Sequence, residues 1–203
     1  MDHLVFAVPD LAQGIDLVER QTGVRAHFGG RHPGRGTHNA LLALGGRRYL
    51  EIIAIDPEQP AAKGLLFPQL ASVREPCLIA WAVAVASVAD AAARARAAAI
   101  ASIGPLDGAR AQADGSRLTW KTLRLTSPLE GLPFFIEWGA GAAHPAETSP
   151  TGCDLTSFAI EHPQGEALRG ALASLGVAAV LRPGPRFALK ARLKTPKGEV
   201  ELC

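Results

Sequence analysis

The sequence predicts an α+β fold assembled from three copies of one β-α-β-β-β unit. Three observations carry that prediction. A strand-like run, His3 to Val8, leads straight into a helix signal and then into three further strand-like runs. The same order restarts near Cys77 and again at Asp154, where Phe158-Ala159-Ile160 echoes Phe6-Ala7-Val8. The closing strands each carry a glutamate between two apolar residues, as Leu50-Glu51-Ile52, Ile136-Glu137-Trp138 and Val200-Glu201-Leu202.

In the first unit, Asp10 is a helix cap with Gln13 at capping-box spacing, Leu11, Ile15 and Val18 recur at helical spacing, and Gly23 is the stop. Strands follow around Arg25 to Phe28, from His38 to Leu44 and from Arg48 to Ile55. The second unit opens with a strand from Leu78 to Val85. Ser87 and Asp90 then start an Ala-rich helix, Val88 to Ala101, that Gly104 ends. Leu118 to Leu125 alternates as a half-buried strand, and Phe134 to Trp138 closes the unit. The third unit has a strand from Leu155 to Ile160, a helix stripe of Leu168, Leu172 and Leu175 stopped by Gly176, and strands from Val177 to Leu181, Arg186 to Leu193 and Glu199 to Leu202. The connectors, Asp56 to Pro76 and Gly139 to Gly152, are rich in Pro, Ala and Gly.

A chain of 203 residues with 48% hydrophobic and 20% charged residues has the make-up of a globular protein with a full core. The net charge of +2, without a dense Lys/Arg block, argues against nucleic acid or a membrane surface as partner. Cys77, Cys153 and Cys203 form neither a metal spacing nor a disulfide framework. The first strand leaves no room for a signal peptide, and no apolar run is long and uncharged enough to span a bilayer. A cytoplasmic location is the expectation.

Two side chains point to chemistry. His3 heads an apolar strand and shares a face with Val5 and Ala7, and Glu51 is a lone carboxylate in Tyr49-Leu50-Glu51-Ile52-Ile53. If both strands line one cavity, the pair is a metal site or an acid–base site. His38 is a further candidate for the same cavity. The Gly-rich run from Gly29 to Thr37 brings Arg31 and Arg35 as candidates for an anionic group, and Trp81 and Trp120 are candidate pocket walls.

The repeated unit, the opening Asp2-His3-Leu4-Val5-Phe6-Ala7-Val8 and the Glu51 strand resemble the vicinal oxygen chelate superfamily, and within it the glyoxalase-like domain group. The stretch Gly30 to Leu41, and Pro133 to Gly139 followed by His144-Pro145, carry the narrower resemblance. The resemblance implies two units paired into a cupped mixed sheet, the glyoxalase-like domain of residues 1–145, with units 1–56 and 77–139 as the pair. The third unit, 153–203, would pack beside it or face a second copy of the chain in a homodimer. It also implies a divalent metal (Zn, Ni, Mn or Fe) on His3, Glu51 and Glu137, with Glu51 as catalytic group. Histidines are missing from the first strands of units two and three, so the full ligand set is absent. Lyase, isomerase or dioxygenase chemistry on a small oxygenated molecule is one implied function. Sequestration of a small ligand, of the bleomycin-resistance type, is the other.

Overall fold

The opening run forms β1 (His3–Ala7), and the Asp10 carboxylate then accepts from the Gln13 backbone N–H at 2.9 Å to start α1 (Leu11–Thr22). Gly23 ends that helix in the left-handed region at φ 80°. The computed structural model describes residues 1–59, 67–111, 117–141 and 143–203. Part of each expected connector, residues 60–66 and 142, therefore lies outside the described residues.

The first unit continues with β2 (His27–His32), β3 (Thr37–Ala43) and β4 (Tyr49–Ile55). The second comprises β5 (Cys77–Ala84), α2 (Val88–Ala97), β6 (Ala101–Ala111), β7 (Arg117–Thr126) and β8 (Phe134–Trp138). A short helix, α3 (Pro145–Thr148), leads to the third unit of β9 (Asp154–His162), α4 (Gly165–Ser174), β10 (Val180–Pro183), β11 (Ala188–Thr195) and β12 (Gly198–Leu202). Among the described residues no helix is long and apolar enough to cross a membrane.

The first two units join in one 8-stranded mixed sheet with the order β2-β3-β4-β1-β5-β8-β7-β6. Each half has the same wiring, and β1 meets β5 antiparallel, with Leu4 opposite Trp81 and Val5 opposite Ala80. The sheet curls until its two edges approach. The Arg110 guanidinium on β6 donates to the Gly29 carbonyl on β2, and Arg35 Nη2 donates to the Asp107 carbonyl at 3.0 Å.

Strand β6 corrects the expected length of α2. Its sequence is poor in β-formers, but the alternating β7 supplies a ladder from Ala101↔Thr126 to Ala111↔Arg117. Gly108 on β6 lies flat against the Trp120 indole, where any Cβ would collide.

The third unit has the same element order but its own wiring. Its sheet runs β10-β9-β11-β12, with β9 parallel to β10, whereas the first strand of each cup half is parallel to the last. Leu155, Ile160, Leu168, Leu189 and Leu193 from this unit share one apolar cluster with Leu4, Phe6, Leu42, Leu50 and Ile52 on the back of the cup. The outer face is polar, with Lys190 and Arg192 paired to Glu201 at 3.6 and 3.2 Å. The apolar face of the third unit is thus packed against the back of the cup of the same chain, and Glu201 stands on the opposite, solvent side.

Candidate functional site

The concave face of the cup encloses a cavity of ≈ 280 Å³. Strand alternation decides what enters it: His3 from β1, Asn39 from β3, Tyr49 and Glu51 from β4, Trp120 from β7, and Phe134 and Trp138 from β8. His3 and Glu51 are 2% and 8% exposed, so both polar groups depend on protein or ligand partners.

Behind His3 stands Asp2, itself 3% exposed. Its carboxylate accepts from His3 Nδ1 at 2.6 Å, from Trp138 Nε1 at 3.0 Å and from His144 Nε2 at 3.0 Å. His144 caps α3 through Nδ1, which accepts from the Ala146 backbone N–H at 3.2 Å, so its hydrogen sits on Nε2, toward Asp2. Burial pushes the Asp2 carboxyl up, but the bonds from His144, His3 and Trp138 outweigh it and hold the group well below the usual carboxylate range. His3 also stacks on Tyr49, with ring centroids 4.5 Å apart. With Nδ1 committed to Asp2, Nε2 is the nitrogen presented to the cavity, 3.7 Å from Glu51 Oε2.

The other Glu51 oxygen is held by Asn39, whose Nδ2 donates to Oε1 at 2.7 Å and approaches His32 Nε2 at 3.2 Å. His32 Nδ1 faces Thr37 Oγ1 at 2.8 Å. These contacts suit a neutral imidazole, and burial, with Arg110, Arg35 and His38 adding to it against Glu51, pushes His32 down. Asn39 Oδ1 rests against Gly29, where a side chain would collide with it.

The structure places the remaining candidates as follows. Arg35 and Trp120 line the cavity. Glu137 shares a face with Phe135, and that face is the back of the sheet, where its carboxylate accepts from the Val88 backbone N–H at 2.8 Å and caps α2. His38 shares a face with Ala40 and Leu42, also the back, near Asp56 at 4.0 Å. Arg31 pairs with Glu58 at 2.5 Å and Asp56 at 3.6 Å, away from the cavity. Trp81 is buried behind β5, and its Nε1 donates to the Gly131 carbonyl at 2.9 Å. Glu137, His38, Arg31 and Trp81 therefore do not join His3 and Glu51. Asp2, His32, Asn39, Tyr49, Arg110 and His144 belong to the site and its supports without being among the sequence candidates. Asp2 and Asn39 were open to sequence reasoning, since each sits beside or in alternation with a residue already singled out.

The described side chains do not fit a divalent metal. Asn39 Nδ2 stands between His32 Nε2 and Glu51 Oε1, and Glu137 is on the wrong face, which leaves His3 Nε2 and one Glu51 oxygen as facing donors. Two ligands fall short of the three that a catalytic ion usually takes from protein. No group of three or more His, Cys, Asp or Glu side chains among the described residues is placed to hold an ion.

Acid is expected to weaken the fold in two stages. Burial leads the downward shifts of His27, His32 and His38, so their folded-state values lie below the unfolded value of about 6.5. As pH falls through that value the unfolded chain takes up protons that the folded chain resists, and stability drops. Asp2 is depressed as well, so its contribution is complete above about pH 3.9 and is lost below that, as pH falls toward its folded value. Melting temperature measured from pH 8 to 3 should be flat at first, fall below about 6.5 and fall again below about 4. His32→Gln should flatten the first stage.

The glyoxalase-like domain family matches residues 1–176. No curated protein matches the chain. Among solved structures, a hypothetical protein from Staphylococcus aureus is similar over 98% of this chain and 83% of its own, with a TM-score of 0.68 and 13% identity. Methylmalonyl-CoA epimerase from Mycobacterium tuberculosis covers 70% of this chain and 87% of its own, with a TM-score of 0.47 and 20% identity. A Streptomyces coelicolor methylmalonyl-CoA epimerase variant in complex with 2-nitronate-propionyl-CoA covers 69% and 97%, with a TM-score of 0.47 and 19% identity. With the family match over most of its length and two wired-alike units in one cupped sheet, the chain belongs to the glyoxalase-like domain family of the vicinal oxygen chelate superfamily.

Proposed function

We propose that the cup binds a small oxygenated organic molecule and moves a proton at the carbon beside its carbonyl, with Glu51 as the base. One observation carries this reading: Glu51 Oε2 and His3 Nε2 face each other at 3.7 Å in a cavity wall, with Asp2 fixing the imidazole from behind. A carboxylate held in place beside an oriented imidazole is an acid–base pair. Glu51 takes the proton from carbon, the C–H electron pair becomes the C=C bond of an enolate, and the carbonyl oxygen takes the negative charge. Return of a proton to carbon completes exchange, epimerisation or isomerisation. Residues 1–145 carry the site in this reading, and 153–203 support the cup from behind.

Tyr49, Trp120, Phe134 and Trp138 favour a second reading, in which the aromatic walls hold a ligand without turning it over. Proton NMR in D2O separates the two. With a set of small 2-oxo and 3-oxo acids, the first reading expects protein-dependent replacement of the hydrogen next to the carbonyl by deuterium. Binding without exchange across the set would leave only the second.

A further inference from the structure

We infer that Arg110, with Arg35 and Arg117, forms an anion seat on the cavity wall, so that the molecule bound beside Glu51 carries a carboxylate or phosphoryl group. This rests on the reading that the cavity takes a small molecule, and it adds the charge class of that molecule.

Arg110 is the centre of the argument. It is half-buried on β6 and lines the same cavity as Glu51 and Tyr49. A guanidinium has five N–H donors, and the contact it makes among the described residues is to the Gly29 carbonyl. No carboxylate of the described residues is within ion-pair distance of it. Burial already works against its charge, with the Glu51 carboxylate in partial compensation. A cation withdrawn from water without a paired anion is unfavourable, and a ligand anion would relieve that.

The surroundings repeat the pattern. Arg35 spends one contact on the Asp107 carbonyl, and Arg117 reaches the cavity from β7 with no ion pair among the described residues. Against these three cations the wall sets Asp107 and Glu51. The planar fork of arginine matches the paired oxygens of carboxylate and phosphate. Arg110 and Arg35 also tie the two edges of the sheet together, so an anion seated there would rest on both halves of the cup.

Calorimetric titration with pyruvate, pyruvamide and inorganic phosphate tests the seat. Pyruvate or phosphate should bind, more weakly as salt rises, and whichever binds names the group. Pyruvamide, which keeps the ketone but lacks the charge, should bind roughly tenfold more weakly or worse. Arg110→Gln should weaken anion binding by roughly 10- to 100-fold and leave pyruvamide unchanged, and Arg110→Lys should recover part of the loss. Should Arg110→Gln fail to fold, Arg117→Gln serves, since Arg117 makes no ion pair among the described residues, and roughly a threefold to tenfold loss is expected. Equal binding of pyruvate and pyruvamide, anion binding untouched by these substitutions, or no anion binding at millimolar concentration would overturn the seat. Arginine-dependent anion binding without deuterium exchange would instead retain the seat and remove the proton-transfer reading.

Discussion

Asp2→Ala is expected to destabilise the fold by about 3–5 kcal/mol, more than a typical single substitution. The carboxylate is the shared acceptor for His3, Trp138 and His144, which come from β1, β8 and the segment that leads into α3. Truncation leaves the buried donors of His3 and His144 without an acceptor, each worth about 1–3 kcal/mol when orphaned, and frees the half-buried Trp138 N–H as well. The Asp2 backbone keeps its own bond from N–H to the Ala82 carbonyl at 2.8 Å, so the strand end stays anchored and the loss reads on the side chain. Asp2→Asn should lose less, about 1–3 kcal/mol, because one amide oxygen still accepts while the amide N–H2 turns a donor toward a donor. Urea unfolding with an unchanged m-value is the measurement. A loss below about 1 kcal/mol in Asp2→Ala would mean that water replaces the carboxylate and that His3 is oriented by Tyr49 stacking alone.

The β-α-β-β-β order was readable because its signals are local. Asp10, Ser87, Gly23 and the leucine stripes act through caps and periodicity within a few residues. Strand β6 was not readable, since Ala101 to Ala111 has little β preference of its own and is held by β7 across the hairpin. Nor did the order of elements reveal the wiring of the third unit, where β9 lies between β10 and β11. Strand order depends on which apolar faces meet, and Leu155, Ile160 and Leu193 meet the back of the cup through contacts far apart in sequence.

At the site, alternation grouped side chains correctly but did not say which face is hollow. His38 was rightly grouped with Ala40 and Leu42, and Glu137 with Phe135, yet both sets belong to the packed back. Asn39 and Trp138, one position away in each strand, take the cavity side. Arg31 and Arg35 lie four positions apart in one Gly-rich hairpin and go to different places, Arg31 to Asp56 and Glu58 and Arg35 to the cavity. The partners that give His3 and Glu51 their orientation, Asp2 and Asn39, are visible once each buried polar atom is asked where its hydrogen bonds go.

Glu51→Gln is expected to lower the rate of deuterium exchange by about 10²- to 10⁴-fold, while ligand binding changes little. The substitution keeps shape and volume. The Gln Oε1 can still accept from Asn39 Nδ2, as the glutamate does at 2.7 Å, and the new amide N–H2 can donate toward His3 Nε2, which Glu51 faces at 3.7 Å. Stability should therefore stay within about 1 kcal/mol of wild type, which separates a chemical loss from an unfolded one. What the amide cannot do is accept a proton from carbon. Glu51→Asp retracts the carboxylate by one methylene and should retain some exchange, because the base survives at a longer reach. His3→Gln should reduce exchange less than Glu51→Gln if the imidazole assists the carboxylate, and equally if the two act as one unit. Exchange at the wild-type rate in Glu51→Gln would move the base to another side chain on the same wall, and Tyr49 and His32 would be the next to replace.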